Sequence, residues 1–339
     1  MKEEDIRPRR VFDEYLRLAV LDANKYFSKS PRQPVVCPAC GTQGVYSFSK
    51  HGFSYEECPE CQTLFVSPRP PAQDFRRYYQ ESESAKFFAT TFYRETSVVR
   101  REKLWRPKAL MIREALRKYG AHQHSLIDVG GGYGIFSEEY ERLTGDKVTV
   151  IEPGSEFARI CQQKGLAVIE AFLENVTQGQ LPAGPKVFVS FELFEHLHDS
   201  ELFLRHLHAL MQPGDMFLFT TLSGMGVDIQ VLWDASRSIS LQHLNFFNPK
   251  SVRLLIERIG LRVLNVDTPG QLDIDILCNN RNQIKDRFWR NFVACASPEE
   301  RQAWQDFIAR HGRSSHMHVV CEYPQSDRAG EKKTVDKGV

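Results

Sequence analysis

The sequence lacks any apolar run that approaches the roughly 20 residues needed to span a bilayer. Its opening stretch, MKEEDIRPRR, also lacks the apolar segment of a signal peptide. These absences predict a cytoplasmic protein without a membrane partner. Neither charge sign is in excess, since 44 basic and 43 acidic residues leave a net charge of +1. A nucleic-acid partner is therefore disfavoured, although local basic patches remain open.

Four of the eight cysteines form two C-x-x-C pairs, Cys37 with Cys40 and Cys58 with Cys61, separated by 17 residues. This spacing is typical of a zinc ribbon. Four thiolates in a tetrahedron favour Zn²⁺ and leave no open coordination position, so the predicted metal is structural and replaces a core too small to fold alone. Redox chemistry or nucleic-acid binding are the alternatives, but no basic cluster surrounds the pairs.

From Ser125 onward, short apolar runs alternate with amphipathic stretches, which predicts an α/β fold with a doubly wound, mostly parallel, Rossmann-like sheet. The strands are predicted at 125–129, 147–151, 166–169, 186–190 and 215–221, and the helices at about 135–144, 154–164, 200–211 and 249–259. A later strand is expected at about 261–267, a charged helical region at 279–313, and a final strand at 315–322.

A glycine-rich turn follows the first of these strands. The pattern is Asp128-x-Gly130-x-Gly132-x-Gly134, and Glu152 ends the next apolar run. Glycines let the backbone turn sharply against a ligand, and an acid at the second strand tip can accept hydrogen bonds from ribose hydroxyls. The dinucleotide pattern G-x-G-x-x-G would need glycine where Ile135 stands. The unit therefore predicts an adenosine-containing cofactor other than a dinucleotide.

The pattern resembles motif I of class I S-adenosylmethionine (SAM) methyltransferases. The resemblance implies that Asp128 fixes the loop and the methionine ammonium, that the glycines and Tyr133 lie beneath the cofactor, and that Glu152 holds the ribose. After the third strand, Phe172 and Glu174 are the candidates for contacts to the adenine. The strand at 261–267 would then be the antiparallel strand that this family adds to its sheet.

The fourth strand delivers Phe191-Glu192-Leu193-Phe194-Glu195-His196 to the carboxyl edge of the sheet, where such folds bind ligands. If a helical turn starts there, Glu192, Glu195 and His196 share one face. Together with His243, this pattern resembles metal-dependent O-methyltransferases of ubiquinone biosynthesis and of small-RNA 3′ ends, which implies a Mg²⁺ site. Alternatively, His196 or His243 acts alone as a general base, or the histidine packs and the acid caps a helix.

The whole pattern resembles bacterial methyltransferases that have an N-terminal zinc-binding domain and act on sugars or secondary metabolites. It implies methyl transfer to a hydroxyl of a small polar acceptor, with a sugar or nucleotide sugar favoured. The alternatives are carbon methylation of a deoxy-keto sugar and an RNA methyltransferase that grips RNA with its ribbon. A homodimer is left open, and Tyr78, Tyr79, Tyr133 and Trp233 are candidates to line the acceptor pocket or to pack in the core.

These patterns divide the chain into five predicted segments. They are a helical arm (1–34), the zinc ribbon (35–70), a helical lid or linker (71–122), the SAM-binding core (123–270), and a C-terminal helical insertion with a last strand (271–339).

Overall fold

Two β-sheets organise residues 1–325, the part of the chain that this computed structural model describes. Residues 326–339, the end of the predicted C-terminal segment, lie outside the described residues. The chain begins with the short helix α1 (Glu3–Ile6) and the long helix α2 (Arg9–Phe27). Helix α2 buries an apolar stripe that includes Val11, Tyr15 and Ala19. No helix within the described range is long and apolar enough to cross a membrane.

The smaller sheet contains a hairpin between the two cysteine pairs, β1 (Val45–Lys50) and β2 (Phe53–Glu57), followed by β3 (Leu64–Val66). All of its neighbouring strands are antiparallel. Its fourth strand, Asn245–Phe246, comes from far along the chain and pairs with β3, so that Leu64 lies opposite Phe246 and Phe65 opposite Asn245. Backbone hydrogen bonds therefore join the ribbon directly to the part of the chain that follows His243.

The region between the ribbon and the large sheet is helical, as expected. Helix α3 (Ala72–Glu81) is followed by an almost unbroken helical stretch. That stretch contains α4 (Glu83–Phe87), α5 (Tyr93–Arg100) and α6 (Arg106–Lys118), joined by π-helical turns at Phe88–Phe92 and Arg101–Trp105. Arg101 pairs with Glu138 at 2.6 Å and with Glu139 at 2.7 Å, which anchors the stretch on the core.

The larger sheet is the doubly wound, mostly parallel sheet that the sequence predicted. Its strands are β4 (Ser125–Val129), β5 (Val148–Ile151), β6 (Ala167–Ile169), β7 (Lys186–Phe191), β8 (Met216–Leu222), β10 (Arg262–Asp267) and β11 (His316–Glu322), with Asn245–Phe246 counted as β9. Strand β9 belongs to the smaller sheet. The spatial order of the larger sheet is β10-β11-β8-β7-β4-β5-β6, and the strands from β4 to β8 pair in parallel.

The expectation that residues 261–267 form the antiparallel strand was wrong. Strand β11 is antiparallel to both of its neighbours, β8 and β10, so β10 runs in the same direction as β8. The sequence could not reveal this, because the direction of each strand depends on the path of the chain through the helical insertion. After the insertion the chain returns as β11, between β8 and β10 and antiparallel to both. His316 and His318 thereby lie on the second strand from one edge of the sheet.

Helices cover both faces of this sheet. Leu126, Val187 and Val189 pack on one face against α6 and the next helix, whereas Ile127 and Phe188 pack on the other. This alternation follows from the period of two in a strand. The remaining helices are α7 (Ile135–Thr144), α8 (Ser155–Gln163), α9 (Ser200–Leu210), α10 (Val227–Leu232), α11 (Pro249–Arg258), α12 (Asp273–Asn279), α13 (Arg287–Cys295) and α14 (Pro298–Arg310).

A tight contact locks the insertion onto the core, and it yields a test of the fold. A Cβ at Gly226 would overlap the backbone of Ser315, which directly precedes β11. We expect Gly226→Ala to lower the free energy of unfolding by about 1 to 3 kcal/mol, because the crowded backbone must shift. Gly179→Ala is the control, since a Cβ there would meet no atom within 4 Å. Urea unfolding would measure both, and equal stability of the two variants would contradict the packing.

Candidate functional site

The glycine turn lies at the carboxyl edge of the large sheet, between β4 and α7. Gly130, Gly132 and Gly134 have φ values of +73°, +53° and +65°, a region that L side chains rarely adopt. A Cβ at Gly134 would lie 2.6 Å from Leu166, whereas one at Gly132 would meet nothing within 4 Å. The turn therefore requires glycine for its conformation, and space beside Gly132 is open.

Two acids flank this turn. Asp128 is 1% exposed and accepts a hydrogen bond from Ser137 Oγ at 2.7 Å. Burial, together with the charge of Glu152, raises the pKa of Asp128 to about 7. Glu152 accepts one hydrogen bond on each oxygen, from the backbone N–H groups of Gly132 and Gly154, both at 2.8 Å. Each carboxylate oxygen keeps a further lone pair with which it can accept a hydrogen bond from a ligand hydroxyl.

The other predicted cofactor residues lie around the same edge. Tyr133 stacks on Tyr93 of α5 with ring centroids 4.7 Å apart. Phe172 follows β6 and is 41% exposed, and Glu174 is exposed in the short turn Leu173–Asn175. An exposed aromatic ring at this position could cover one face of a planar base.

The predicted grouping of Glu192 with Glu195 and His196 on one helical face was wrong. Glu192 has a φ of +53°, and the helical turn that follows it is a short 3₁₀ turn, Phe194–His196. This backbone directs the carboxylate of Glu192 to Lys108 Nζ at 2.6 Å and to His316 Nε2 at 3.0 Å. Burial opposes ionisation of Glu192, but Lys108 and His316 hold its pKa well below the usual range.

The sequence interpretation missed Lys108 and His316 because both are distant from Glu192 along the chain. Lys108 comes from α6 and is 9% exposed, and Thr220 Oγ1 adds a third hydrogen bond to the same carboxylate oxygen at 2.8 Å. A buried lysine is unusual and indicates that the side chain has a partner of opposite charge. Only the fold identifies that partner as Glu192.

Glu195, His196 and His243 do come together, as the sequence predicted for these three. Their ligand-type atoms lie within 4.8 Å of one another. The rings of His196 and His243 have centroids 4.7 Å apart. Glu195 is 1% exposed and accepts a hydrogen bond from Thr221 Oγ1 at 2.9 Å, and burial, followed by the charge of Glu192, raises its pKa to about 8.

The hydrogen bonds of the two imidazoles fix their tautomers. Nδ1 of His196 lies 3.1 Å from the carbonyl oxygen of Gln242, and Nδ1 of His243 lies 2.6 Å from that of Ser238. A carbonyl can only accept, so Nδ1 carries the proton in both rings. Nε2 of each ring therefore keeps its lone pair, the arrangement that a proton acceptor or a metal ligand requires.

Burial keeps both rings neutral. It lowers the pKa of His196 to about 3, to which the neighbouring His243 also contributes, and lowers that of His243 to about 4. The hydroxyl of Tyr79, on α3, lies 3.3 Å from Nδ1 of His196. Helix α3 thus contributes a polar group directly beside the paired histidines.

The two cysteine pairs form two matching turns. The backbone N–H of Cys37 bonds to Thr42 and that of Cys58 to Thr63, both at 2.9 Å. Three of the sulfur–sulfur distances are 3.4 to 3.6 Å, far longer than the roughly 2.05 Å of a disulfide. A tetrahedron with Zn–S bonds of about 2.3 Å places sulfurs about 3.8 Å apart. The arrangement of Cys37, Cys40, Cys58 and Cys61 therefore fits the predicted zinc ion.

Residues 99–266 match the family described as "Methyltransferase domain". Among curated proteins, the ubiquinone biosynthesis O-methyltransferase of Methylobacterium nodulans is 33% identical over 161 residues, which cover 43% of this chain and 62% of that protein. The one from Colwellia psychrerythraea is 28% identical over 120 residues, or 34% of this chain and 48% of that protein. The matches thus span less than two thirds of these relatives' own lengths.

Solved structures of similar shape include a SAM-dependent methyltransferase from Archaeoglobus fulgidus, with a TM-score of 0.42 and 15% identity over 65% of this chain and 97% of that one. Another is the 1,6-didemethyltoxoflavin N1-methyltransferase of Burkholderia thailandensis, with a TM-score of 0.45 and 11% identity over 83% of this chain and 99% of that one.

The cysteine geometry yields a prediction about metal content. We expect the purified protein to hold about one zinc ion per chain and Cys58→Ser to lose most of it, because an alcohol is a poor fourth ligand beside three thiolates. Elemental analysis of metal-free-buffer preparations would measure this. Cys295→Ser is the matched control, since Cys295 is exposed and distant from the cluster in sequence. Equal zinc in both variants would contradict the site.

Proposed function

We propose that the chain, whose residues 99–266 match a methyltransferase domain, transfers a methyl group from SAM to a hydroxyl oxygen of a small polar acceptor. The observation that carries the proposal is the pair of neutral imidazoles, His196 and His243, at the same sheet edge as the glycine turn. This juxtaposition provides a cofactor cradle and a proton acceptor within one site.

The residues of the cradle fit SAM. The free lone pairs of Glu152 suit the two ribose hydroxyls, and the open space beside Gly132 leaves room for the methionine part of SAM. Asp128 would face the methionine ammonium through the turn, and Phe172 and Glu174 would border the adenine. When bound, SAM supplies a methyl group on a positively charged sulfur, which makes the carbon electrophilic.

The acceptor side requires a nucleophile and a destination for its proton. The acceptor oxygen forms a bond to the methyl carbon as the carbon–sulfur bond breaks, and the hydroxyl proton passes to Nε2 of His196 or His243. In-line attack needs both partners held within van der Waals contact, so positioning accounts for much of the rate. Tyr79 beside His196 could hold the acceptor hydroxyl.

The curated relatives bear the name O-methyltransferase, which supports oxygen as the acceptor atom. Their name concerns ubiquinone biosynthesis and gives no support to a sugar, so the sugar or nucleotide sugar stays a prediction. Carbon methylation of a deoxy-keto sugar and RNA methylation stay alternatives. Formation of S-adenosylhomocysteine with separate phenol, sugar, nucleotide-sugar and RNA panels would discriminate among them, and no turnover with any hydroxyl acceptor would count against the proposal.

A second candidate adds a divalent cation, because Glu195, His196 and His243 offer ligand atoms within 4.8 Å of one another. These residues would hold the ion, which would lower the pKa of a bound acceptor hydroxyl. Glu192, which the sequence placed in the same Mg²⁺ site, instead pairs with Lys108. Two nitrogens and one oxygen also suit Mn²⁺ or Fe²⁺ better than Mg²⁺, which prefers oxygen ligands.

The five-segment division, the role of the zinc as structural, the small-molecule partner and the cytoplasmic location are part of the same proposal. The small ribbon sheet and the large parallel sheet support the division. Strand β9, which lies in the predicted SAM-binding segment, nevertheless pairs with β3 of the ribbon sheet. A homodimer remains a prediction to be measured by light scattering.

The cradle predicts how affinity for SAM responds to mutation. Glu152→Ala should weaken SAM binding by about 10- to 100-fold, since charge-assisted hydrogen bonds to the ribose are lost. Isothermal titration with SAM would measure the dissociation constant. Asp146→Ala, which removes an exposed carboxylate after α7, should leave it unchanged. Wild-type affinity in the Glu152 variant would count against the cradle.

If the paired histidines accept the proton, replacing either one should lower turnover without weakening the binding of SAM. His196→Asn and His243→Asn keep a donor near the Nδ1 position but remove Nε2, so kcat should fall by about 10² to 10⁴. His206→Asn is the control, since His206 on α9 also bonds a carbonyl through Nδ1. Because the neutral rings are the active form and their pKa values are lowered to about 3 and 4, turnover that depends on them should decline only as the pH falls through about 4.

Chelation distinguishes proton transfer to a histidine from activation of the acceptor by a divalent cation, and it uses the same turnover assay. Wild-type turnover that survives EDTA, with ribbon zinc still present by elemental analysis, identifies proton transfer without a second metal. Turnover that EDTA abolishes and Mn²⁺ or Mg²⁺ restores identifies the cation.

A further inference from the structure

The ribbon holds the chain segment that carries His243. We name residues 236–247 the histidine segment. Three ribbon residues bind its carbonyl oxygens: Lys50 Nζ donates to Ser236 at 2.6 Å, the hydroxyl of Tyr55 donates to Ser240 at 3.1 Å, and the backbone N–H of Val66 donates to Leu244 at 2.9 Å. The pairing of β3 with β9 adds the backbone ladder at its end. The ribbon thus contacts this segment along most of its length.

Arg69, which follows the ribbon sheet, ties the same segment to the turn that bears His196. Its guanidinium is 4% exposed and donates to the carbonyl oxygen of His198 at 2.6 Å, to that of Leu244 at 3.2 Å and to Asn245 Oδ1 at 2.5 Å. Asn245 in turn donates from Nδ2 to the carbonyl oxygen of Leu197 at 2.7 Å. One buried cation therefore joins both histidine-bearing stretches.

The partners of Arg69 are neutral. Among residues 1–325 it forms no salt bridge, and its hydrogen bonds go to carbonyl and amide oxygens. A buried charge is costly unless its hydrogen bonds are all satisfied. The planar fork of arginine satisfies several acceptors at once in a fixed geometry, which a lysine cannot reproduce. Such a group fixes the relative positions of the chain segments whose oxygens it binds.

Those positions matter because the histidine segment supplies the carbonyls that orient both imidazoles. Gln242 accepts from His196 and Ser238 accepts from His243, and both acceptors lie in the segment held by the ribbon and Arg69. A shift of this segment would loosen both Nδ1–H bonds and release each ring to adopt the other tautomer. The Nε2 lone pairs would then no longer point reliably into the site.

We propose that Arg69 is a positioning residue and that the ribbon is part of the framework of the active site, in which it fixes the tautomer and orientation of His196 and His243. The catalytic consequence rests on the proposed function, whereas the positioning itself can be measured without any acceptor. The ribbon accordingly acts on the chemistry from a distance, through backbone carbonyls, and not by contact with a substrate.

The first test compares Arg69→Lys with Arg32→Lys. Arg32 is the matched control because it also donates to two backbone carbonyls, those of Phe27 and Gly52, neither of which belongs to the histidine segment. Imidazole ¹⁵N spectra would report the tautomers. We expect the Nδ1–H form for His196 and His243 in the wild type and in Arg32→Lys, and a mixture with the Nε2–H form in Arg69→Lys.

A second variant covers the case in which Arg69→Lys folds poorly. Tyr55→Phe removes only the hydroxyl that binds Ser240, and Tyr46→Phe removes a ribbon hydroxyl that binds Ser49 instead. His206 and His311, whose Nδ1 atoms bond carbonyls of their own helices, serve as internal references in every spectrum. Tyr55→Phe should shift the two site histidines and leave the references unchanged.

Turnover adds an independent readout. Arg69→Lys should lower kcat by about tenfold or more while the dissociation constant of SAM stays within about twofold, because the glycine turn is untouched. Wild-type tautomers in both Arg69→Lys and Tyr55→Phe would overturn the positioning role. Failure of the wild type to bind SAM would overturn the proposed function instead, and it would leave the tautomer result to stand on its own.

Discussion

The pairing of strand Leu64–Val66 with Asn245–Phe246, reinforced by Arg69, is the interaction on which the rest of the site depends. It joins two parts of the chain that are some 180 residues apart and closes the small sheet with a strand from the large domain. A short strand next to a metal knuckle has little core of its own, so it gains stability by sharing one. The shared strand follows His243 closely along the chain, and this links the fold of the ribbon to the position of the paired histidines.

The large sheet contributes the other half of the site through the direction of its strands. Because β4, β5 and β7 run in parallel, their carboxyl ends meet at one edge, where the glycine turn, Glu152 and the stretch from Glu192 to His196 all lie. The return of β11 between β8 and β10 then places His316 beside Glu192. The insertion before β11 thus has a structural consequence for the site, since it brings in His316, a histidine that no sequence motif indicated.

Charge is arranged in two separate groups at this edge. Glu192 pairs with Lys108 and accepts a hydrogen bond from His316, whereas Glu195 forms no salt bridge among residues 1–325 and lies beside two imidazoles whose pKa values are lowered by burial. Burial disfavours the charged form of each group that lacks a partner, which explains why the pKa of Glu195 is raised and that of Glu192 is lowered. The first group joins α6 to the large sheet, and the second contains two imidazoles whose Nε2 atoms keep a lone pair.

The sequence by itself determined what depends on local pattern: the cysteine knuckles, the alternation of strands and helices, the glycine turn and Glu152, since spacing and backbone conformation are set by neighbouring residues. It also predicted that Glu195, His196 and His243 lie close together, as they do. Only the tertiary structure decided that Glu192 turns away, because a single residue with positive φ redirects a side chain. Lys108, His316 and Arg69, the direction of β11, and the joining of the ribbon to the histidine segment likewise depend on contacts between residues distant in sequence, which no local pattern encodes.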